Sequence, residues 1–237
     1  MNKVLIVIPA YNEEANIENV VRELEDKYPQ FDYIVVNDGS RDRTAAICRE
    51  NGFNLLDLPV NLGLAGCFQA GMKYAYHKGY EYAIQFDGDG QHRPEFIEPM
   101  METMKEGYEI VIGSRFVNAK KDWSMRMLGS RLIEMAIRLT TGVTVNDPTS
   151  GMRMFNRAMV EEFAQNLNYG PEPDTISYLI KNGATVKEVQ VEMGERLAGQ
   201  SYLTFWRSVQ YMVKMSISIL LIQWFRKRDT ETPYPER

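Results

Sequence analysis

Tyr82-Ala83-Ile84-Gln85-Phe86-Asp87-Gly88-Asp89-Gly90-Gln91-His92 is a short, largely apolar run that ends in two carboxylates set two residues apart among glycines. A run of this length closed by turn residues suits a buried strand of a parallel sheet. The pattern recurs upstream in Val4 to Pro9, in Tyr33 to Val36 before Asn37-Asp38-Gly39-Ser40, and in Asn54 to Leu58. Helical spacing fills the intervals. Asn12 to Asp26 has Asn12 as the expected N-cap, Thr44 to Asn51 is ended by Gly52, and Leu64 to Lys78 is closed by Gly79. Downstream, Pro94 to Lys105 reads as a helix and Ile110 to Gly113 as a fifth strand. This alternation predicts an α/β chain with a mostly parallel, doubly wound sheet, whose sites lie at the carboxyl ends of the strands. Polar clusters follow strands there, at Asn37 to Ser40, Asp87 to His92, and Ser114 with Arg115.

The 237 residues are 44% hydrophobic and 25% charged, which excludes a disordered chain. A net charge of -5 argues against nucleic acid as a partner, since phosphate backbones call for a basic surface. Cys48 and Cys67 form neither a disulfide framework nor a metal knuckle, and their apolar surroundings make them small core residues in a reducing compartment. Met1-Asn2-Lys3 runs at once into Val4 to Ile8, leaving no room for a signal peptide, so a cytoplasmic location is expected.

The second half is less regular. Helices are expected over Ser130 to Thr141, Ala158 to Ala164 and Thr175 to Asn182, a loop over Asp147 to Arg153, and a strand over Val186 to Val191. Thr204 to Arg226 reads as one long helical segment. Its stretch from Val209 to Phe225 would be about 26 Å long at ~1.5 Å per residue, short of a bilayer core of roughly 30 Å, and Lys214 sits in its middle. Arg207, Gln210, Lys214 and Ser218 form a narrow polar stripe on an otherwise apolar helix, and Arg226-Lys227-Arg228 follows. A helix of this kind suits the membrane interface, with cations at anionic headgroups. The expected division is therefore residues 1–203 as the catalytic domain and 204–237 as a tail that associates with a membrane or a partner.

Two carboxylates at a strand end can hold one hard divalent cation, which neutralises a diphosphate and helps it depart. A calcium loop of the EF-hand type would place Asp87, Asp89, Gln91 and Glu98 at positions 1, 3, 5 and 12, but His92 replaces its glycine and a strand its leading helix. A dinucleotide oxidoreductase is disfavoured because the turn after the first strand has no Gly-x-Gly-x-x-Gly.

Pro9-Ala10-Tyr11-Asn12-Glu13-Glu14, Val36-Asn37-Asp38-Gly39-Ser40, Asn61-Leu62-Gly63, Asp87-Gly88-Asp89-Gly90-Gln91-His92, Gly113-Ser114-Arg115-Phe116 and Asp147-Pro148-Thr149-Ser150-Gly151-Met152-Arg153 occur in that order. Together they resemble the inverting glycosyltransferase family 2, in its polyprenyl-phosphate sugar transferase branch typified by dolichol-phosphate mannose synthase. The resemblance implies a GT-A fold, Mg2+ or Mn2+, and a nucleotide-sugar donor. It places Pro9, Tyr11, Glu13 and Asp38 at the nucleoside, and Asp87, Asp89 and Gln91 at the metal and diphosphate. The family often has two acids where this chain has Asn37-Asp38, which leaves Asp38 as the contact.

On the acceptor side Arg115, Arg126, Ser130 and Arg131 fall in one basic stretch, and Arg126 and Ser130 share a helix face. Arginine forks and a hydroxyl suit a phosphate, and the resemblance gives an arginine of the Gly-Ser-Arg motif and an Arg/Ser pair that task. A phosphate monoester with a second pKa of about 6 needs no strong general base. Asp147 is the expected residue for orienting the acceptor, with Asp174 the alternative. The reading that results is transfer of a sugar, GlcNAc or glucose, from a UDP-sugar to undecaprenyl phosphate for cell-surface polysaccharide modification, as in the short bacterial members of the branch. It implies peripheral attachment at the cytoplasmic membrane face, with a small membrane protein or a homo-oligomer as partner. The alternatives are a sugar-hydroxyl acceptor, a GDP-mannose donor, or a catalytically silent binding protein.

Overall fold

Val4–Ala10 forms β1, the strand on which the sheet is built, and its side chains alternate between two apolar layers. Leu5 and Val7 enter one cluster, while Val4, Ile6, Ile8 and Ala10 enter the other. Burial on both faces is what produces an unbroken apolar run instead of an alternating one. The computed structural model describes residues 3–119, 121–166, 169–194 and 205–221, without the side chains of residues 125, 126 and 205–209.

After β1 come α1 (Ile17–Lys27), β2 (Asp32–Asn37), α2 (Thr44–Glu50), β3 (Leu55–Asp57), α3 (Gly63–Lys78) and β4 (Tyr82–Gln85). A 3-10 turn at Pro94–Phe96 leads into α4 (Ile97–Lys105), followed by β5 (Ile110–Ser114), α5 (Met125–Thr141), β6 (Arg153–Asn156), α6 (Arg157–Gln165), α7 (Pro173–Lys181), β7 (Val186–Gln190) and α8 (Phe205–Leu220). The seven strands lie in the order β3-β2-β1-β4-β6-β5-β7. All neighbours run parallel except β6, which is antiparallel to both β4 and β5. The chain winds outward from β1 through β2 to β3, then crosses back to place β4 on the other side of β1. A ligand crevice opens at such a switch point, outside the carboxyl ends of β1 and β4.

Several elements differ from expectation, among them α5, which starts at Met125 and not at Ser130. Asn12 does not cap α1. Its φ of 56° is left-handed, its N–H donates to Ser40 Oγ at 3.0 Å, and its Oδ1 accepts from Arg41 N–H at 2.9 Å. The first turn is given up to sew the loop after β1 onto the loop after β2, and the helix starts at Ile17. The loop expected through Arg153 instead ends in β6, a four-residue strand that fills the gap between β4 and β5.

The C-terminal helix is split between two environments. Met215 and Ile219 belong to the core cluster shared with α5 and α7. Ser218, expected in an outward polar stripe, is buried and donates to Asp174 Oδ2 at 2.6 Å. Helices α5 and α8 touch at Gly129, where a Cβ would fall 1.4 Å from Met212 Sδ. The outer arc carries Val213, Lys214, Ile217 and Leu220, all exposed. No helix among the described residues is long and apolar enough to cross a membrane. Arg226-Lys227-Arg228 lies outside the described residues.

Candidate functional site

The loops after β1 and β2 meet the start of α3 around a cleft of about 370 Å³. Pro9, Tyr11, Glu13 and Asp38, the residues expected at the nucleoside, all line it, joined by Asn61, Leu64 and Cys67. Asp38 Oδ1 accepts the Leu62 N–H at 2.7 Å, so this buried carboxylate fixes the Asn61-Leu62-Gly63 loop as well as facing the cleft. Glu13 Oε2 accepts from Asn16 Nδ2 at 2.7 Å, and its N–H donates to Thr44 Oγ1 at 2.8 Å. Asn37 turns away, donating from Nδ2 to Asp57 Oδ1 at 2.6 Å and accepting from Ser40 Oγ at 2.5 Å. It braces the sheet end and leaves Asp38 to the cleft. Both cysteines are buried, and loss of hydration pushes the Cys48 thiol up to about 11 and the Cys67 thiol up to about 12. Neither offers a thiolate near neutral pH.

The second element is the turn after β4. The Asp87 N–H donates to His92 Nδ1 at 2.8 Å, and His92 Nε2 lies 3.4 Å from Asp87 Oδ2. The imidazole is buried edge-on against Phe86, with ring centroids 5.4 Å apart. His92 thus shapes the Asp87 turn. Asp89 Oδ1 accepts the Gln91 N–H at 3.0 Å, and Gln91 O accepts from Gly194 N–H at 2.8 Å, which brings the segment after β7 over the turn. Gly151 packs directly beneath. A Cβ there would fall 2.8 Å from Asp87 Oδ2, so only glycine lets this loop approach the carboxylate.

The donor set fits a magnesium or manganese ion. Asp87 and Asp89 are hard oxygen donors, and the Asp87 side chain is 39% exposed and open to a ligand. Among the described residues no three His, Cys, Asp or Glu side chains form a ready-made cage. A magnesium or manganese ion here would be held by these one or two carboxylates and completed by water and substrate phosphate. Gln91 contributes its backbone to the turn.

On the acceptor side the structure joins two expected residues to each other. Asp147 is fully buried. Its Oδ2 accepts from the Arg115 backbone N–H at 3.0 Å and from Nε at 2.7 Å, and its Oδ1 accepts from Nη2 at 2.8 Å. Hydrogen bonding to this carboxylate holds the Arg115 guanidinium above its ordinary pKa against the opposing effect of burial. Glu188 steadies the pair from behind by accepting the Asp147 N–H at 2.7 Å. Asp147 therefore orients an arginine. Asp174 is buried at the start of α7, accepting from Ser218 of α8 and from the Thr175 N–H at 2.9 Å. Ser130 is buried and accepts from Lys121 Nζ at 3.1 Å. The Arg131 guanidinium lies 4.5 Å from the centre of the Trp123 ring. Arg126 sits in the first turn of α5, with its side chain outside those described.

Two further residues carry no mark in the chain's periodicity. Arg153 is buried in the field of Glu172, Tyr211, Asp147 and Asp87, with loss of hydration depressing its pKa. Its Nη2 donates to Pro148 O at 2.6 Å, and its Nε has no hydrogen-bond partner among the described residues. It counterbalances the nearby carboxylates, and its sequence signals are its place at the end of the Asp147 to Arg153 motif and a lone charge among Met152, Met154 and Phe155. Lys121 is the other, buried against Ser130 and Glu134.

Arg115→Ala is expected to weaken the fold as well as the site. Removing one partner of a buried pair strands the other charge, at a cost of roughly 3–5 kcal/mol. The double variant Arg115→Ala/Asp147→Asn should recover most of the lost thermal stability without recovering turnover. Equal melting temperatures for the single and double variants would show that a stranded Asp147 charge is not what destabilises Arg115→Ala.

Residues 5–163 match the model of Glycosyl transferase family 2. The chain is 29% identical to the polyprenol monophosphomannose synthase of Mycolicibacterium smegmatis over 85% of this chain and 81% of that one. It is 30% identical to the UDP-N-acetylglucosamine–dolichyl-phosphate N-acetylglucosaminyltransferase of Methanococcus voltae, over 80% and 84%. It is 28% identical to the undecaprenyl-phosphate mannosyltransferase of Micrococcus luteus, over 85% and 88%. Among solved structures, glucosyl-3-phosphoglycerate synthase from Mycobacterium tuberculosis superposes with a TM-score of 0.70 at 18% identity, covering 96% of this chain and 82% of that one. A complex of the same enzyme with Mn2+, UDP and glucosyl-3-phosphoglycerate gives 0.67. The sheet order, the superposition and the matched family model agree: the chain has the GT-A fold and belongs to glycosyl transferase family 2.

Proposed function

We propose that this chain moves a sugar, GlcNAc or glucose, from a UDP-sugar to a polyprenyl phosphate such as undecaprenyl phosphate at the cytoplasmic face of a membrane, for cell-surface polysaccharide modification. The observation that carries the reading is a juxtaposition. Gly88, between Asp87 and Asp89, packs against Pro9 and Glu13 of the cleft, while Arg115 and Lys121 flank Phe116 beside Arg131, and α5 and α8 carry exposed apolar side chains. The named relatives act on polyprenyl phosphates, which supports the acceptor class.

Asp87 and Asp89 would hold the cation, which neutralises the diphosphate when bound. The phosphate oxygen of the acceptor attacks the anomeric carbon from the face opposite the leaving nucleotide, which inverts that centre. With a second pKa of about 6 this oxygen is already ionised near neutral pH. The site accordingly needs aim more than a base, and Asp147 and Asp174 are both engaged in holding neighbours. Arg115, held rigid by Asp147, is the donor aimed at the acceptor phosphate.

Two of the named relatives are mannosyl transferases, which favours a GDP-mannose donor as the second reading. A panel of UDP- and GDP-sugars with undecaprenyl phosphate separates the two. Lipid-linked product from UDP-GlcNAc or UDP-glucose is expected. Exclusive use of GDP-mannose would replace the donor assignment, and transfer to a soluble oligosaccharide hydroxyl would overturn the acceptor.

A further inference from the structure

Phe116, next after Arg115, is flanked by two cations. The Arg115 guanidinium lies 5.2 Å from the ring centre, and Lys121 Nζ lies 5.5 Å from it. The Lys121 side chain is only 7% exposed, although lysine seldom leaves water without a partner. It donates to Ser130 Oγ at 3.1 Å and to Glu134 Oε2 at 2.7 Å. Beside it Arg131 donates from Nη2 to the Lys121 carbonyl at 2.8 Å, while its buried Nη1 has no hydrogen-bond partner among the described residues. These groups line a cavity of about 350 Å³ with Phe116, Trp123 and Asn146, and Asn146 immediately precedes Asp147.

The charge balance of this cavity points to an anion. Asp147 answers Arg115 and Glu134 answers Lys121, whereas Arg131 meets a carbonyl and an aromatic face. The exposed Asp122 carboxylate lies in the field of Arg131 but forms no ion pair with it among the described residues, and Nη1 is left as an unused donor. The Lys121–Glu134 pair keeps the lysine in place while no ligand is bound, because a buried cation without a counter-ion is expensive. A phosphate monoester brings close to two negative charges and three acceptor oxygens. It can satisfy Arg131 Nη1 and draw Lys121 from Glu134.

We propose that Lys121 is a direct ligand of the acceptor's phosphate, and that Glu134 is an internal competitor which the phosphate must displace. The assignment of that phosphate to a polyprenyl chain rests on the function proposed above. The cation and its competitor must respond in opposite directions, which a merely structural pair would not do.

Lys121→Met should raise the KM for a water-soluble C15 isoprenyl phosphate about ten- to a hundredfold, the loss of one charged hydrogen bond, with a much smaller change in kcat. Lys121→Arg should restore most of it. Glu134→Gln should lower the same KM several-fold. Binding of inorganic phosphate, followed by 31P line width, reads the site without lipid and should weaken in Lys121→Met and tighten in Glu134→Gln. If both variants raise KM together, or neither moves it, the pair is structural and the proposal falls while transfer to isoprenyl phosphate stands. If the wild-type protein ignores isoprenyl phosphate yet binds inorganic phosphate through Lys121, the anion site stands and the polyprenyl reading falls.

Discussion

Asp89→Asn is expected to lower sugar transfer on the order of 10²–10³-fold, the scale of losing a group that stabilises transition-state charge, while the melting temperature stays close to wild type. The two outcomes separate for a structural reason. Asp89 Oδ1 accepts the Gln91 N–H, and an asparagine oxygen can keep that bond, so the turn after β4 survives. What is lost is the negative charge that the proposed function assigns to the cation and the leaving diphosphate. Mn2+ affinity measured by electron paramagnetic resonance should drop in parallel with turnover, and EDTA should silence the wild-type protein. Full turnover in EDTA would sink the metal assignment. Asp87→Asn is a less clean probe, because Asp87 also lies against His92 and the Gly151 loop, and a change there disturbs packing as well as charge.

The parts of this site that could be read in advance are those where one residue type can do one job at one sheet position. β1 and β4 are buried on both faces and end in polar turns, so both the strands and the crevice follow from hydrophobic pattern alone. Pro9, Tyr11, Glu13 and Asp38 were recognisable as motif members, and the fold gathers them at one cleft. Pairing across the sheet was not legible. Nothing in the spacing of Arg115 and Asp147, thirty-two residues apart, shows that one fills the fork of the other. Strand β6 is four residues long and begins with a charge, too short for period-two alternation to register. Asn12 has the chemistry of an N-cap but is used in a left-handed turn, because the loop after β2 offers it partners at Ser40 and Arg41. Ser218 looks like a surface hydroxyl until Asp174, forty-four residues earlier, supplies an acceptor inside the core. Helical periodicity specifies which residues share a face; the partner across the interface determines which face turns inward.

Leu139→Glu combined with Ile217→Glu is expected to release the protein from anionic liposomes without lowering its thermal stability. Leu128, Leu132, Met135 and Leu139 recur along one stripe of α5, with Leu139 71% exposed. Val213, Ile217 and Leu220 form the outer arc of α8, and the helices leave between them an apolar groove of about 220 Å³. A continuous apolar face this large calls for a cover. Trp123 at the head of α5 is 87% exposed, so an interfacial aromatic accompanies the face, and the sequence after α8 carries the cations Arg226-Lys227-Arg228. Both features favour an anionic bilayer surface. Burying each large side chain is worth roughly 1.5–3 kcal/mol, so losing two should weaken partitioning by about 10²–10⁴-fold. Transfer to long-chain polyprenyl phosphate should fall with it, while transfer to a water-soluble isoprenyl phosphate should hold. Point changes on the outer arc are a sharper test than removing residues 204–237. Truncation would strip Met215 and Ile219 from the core and break the Tyr211–Glu172 and Ser218–Asp174 bonds, so loss of activity would report unfolding. If the intact protein stays monodisperse in detergent-free buffer and ignores liposomes, with or without a co-expressed small membrane protein, the face is not a membrane seat. If it dimerises, and the double substitution yields monomers, a second copy of the chain is the cover instead.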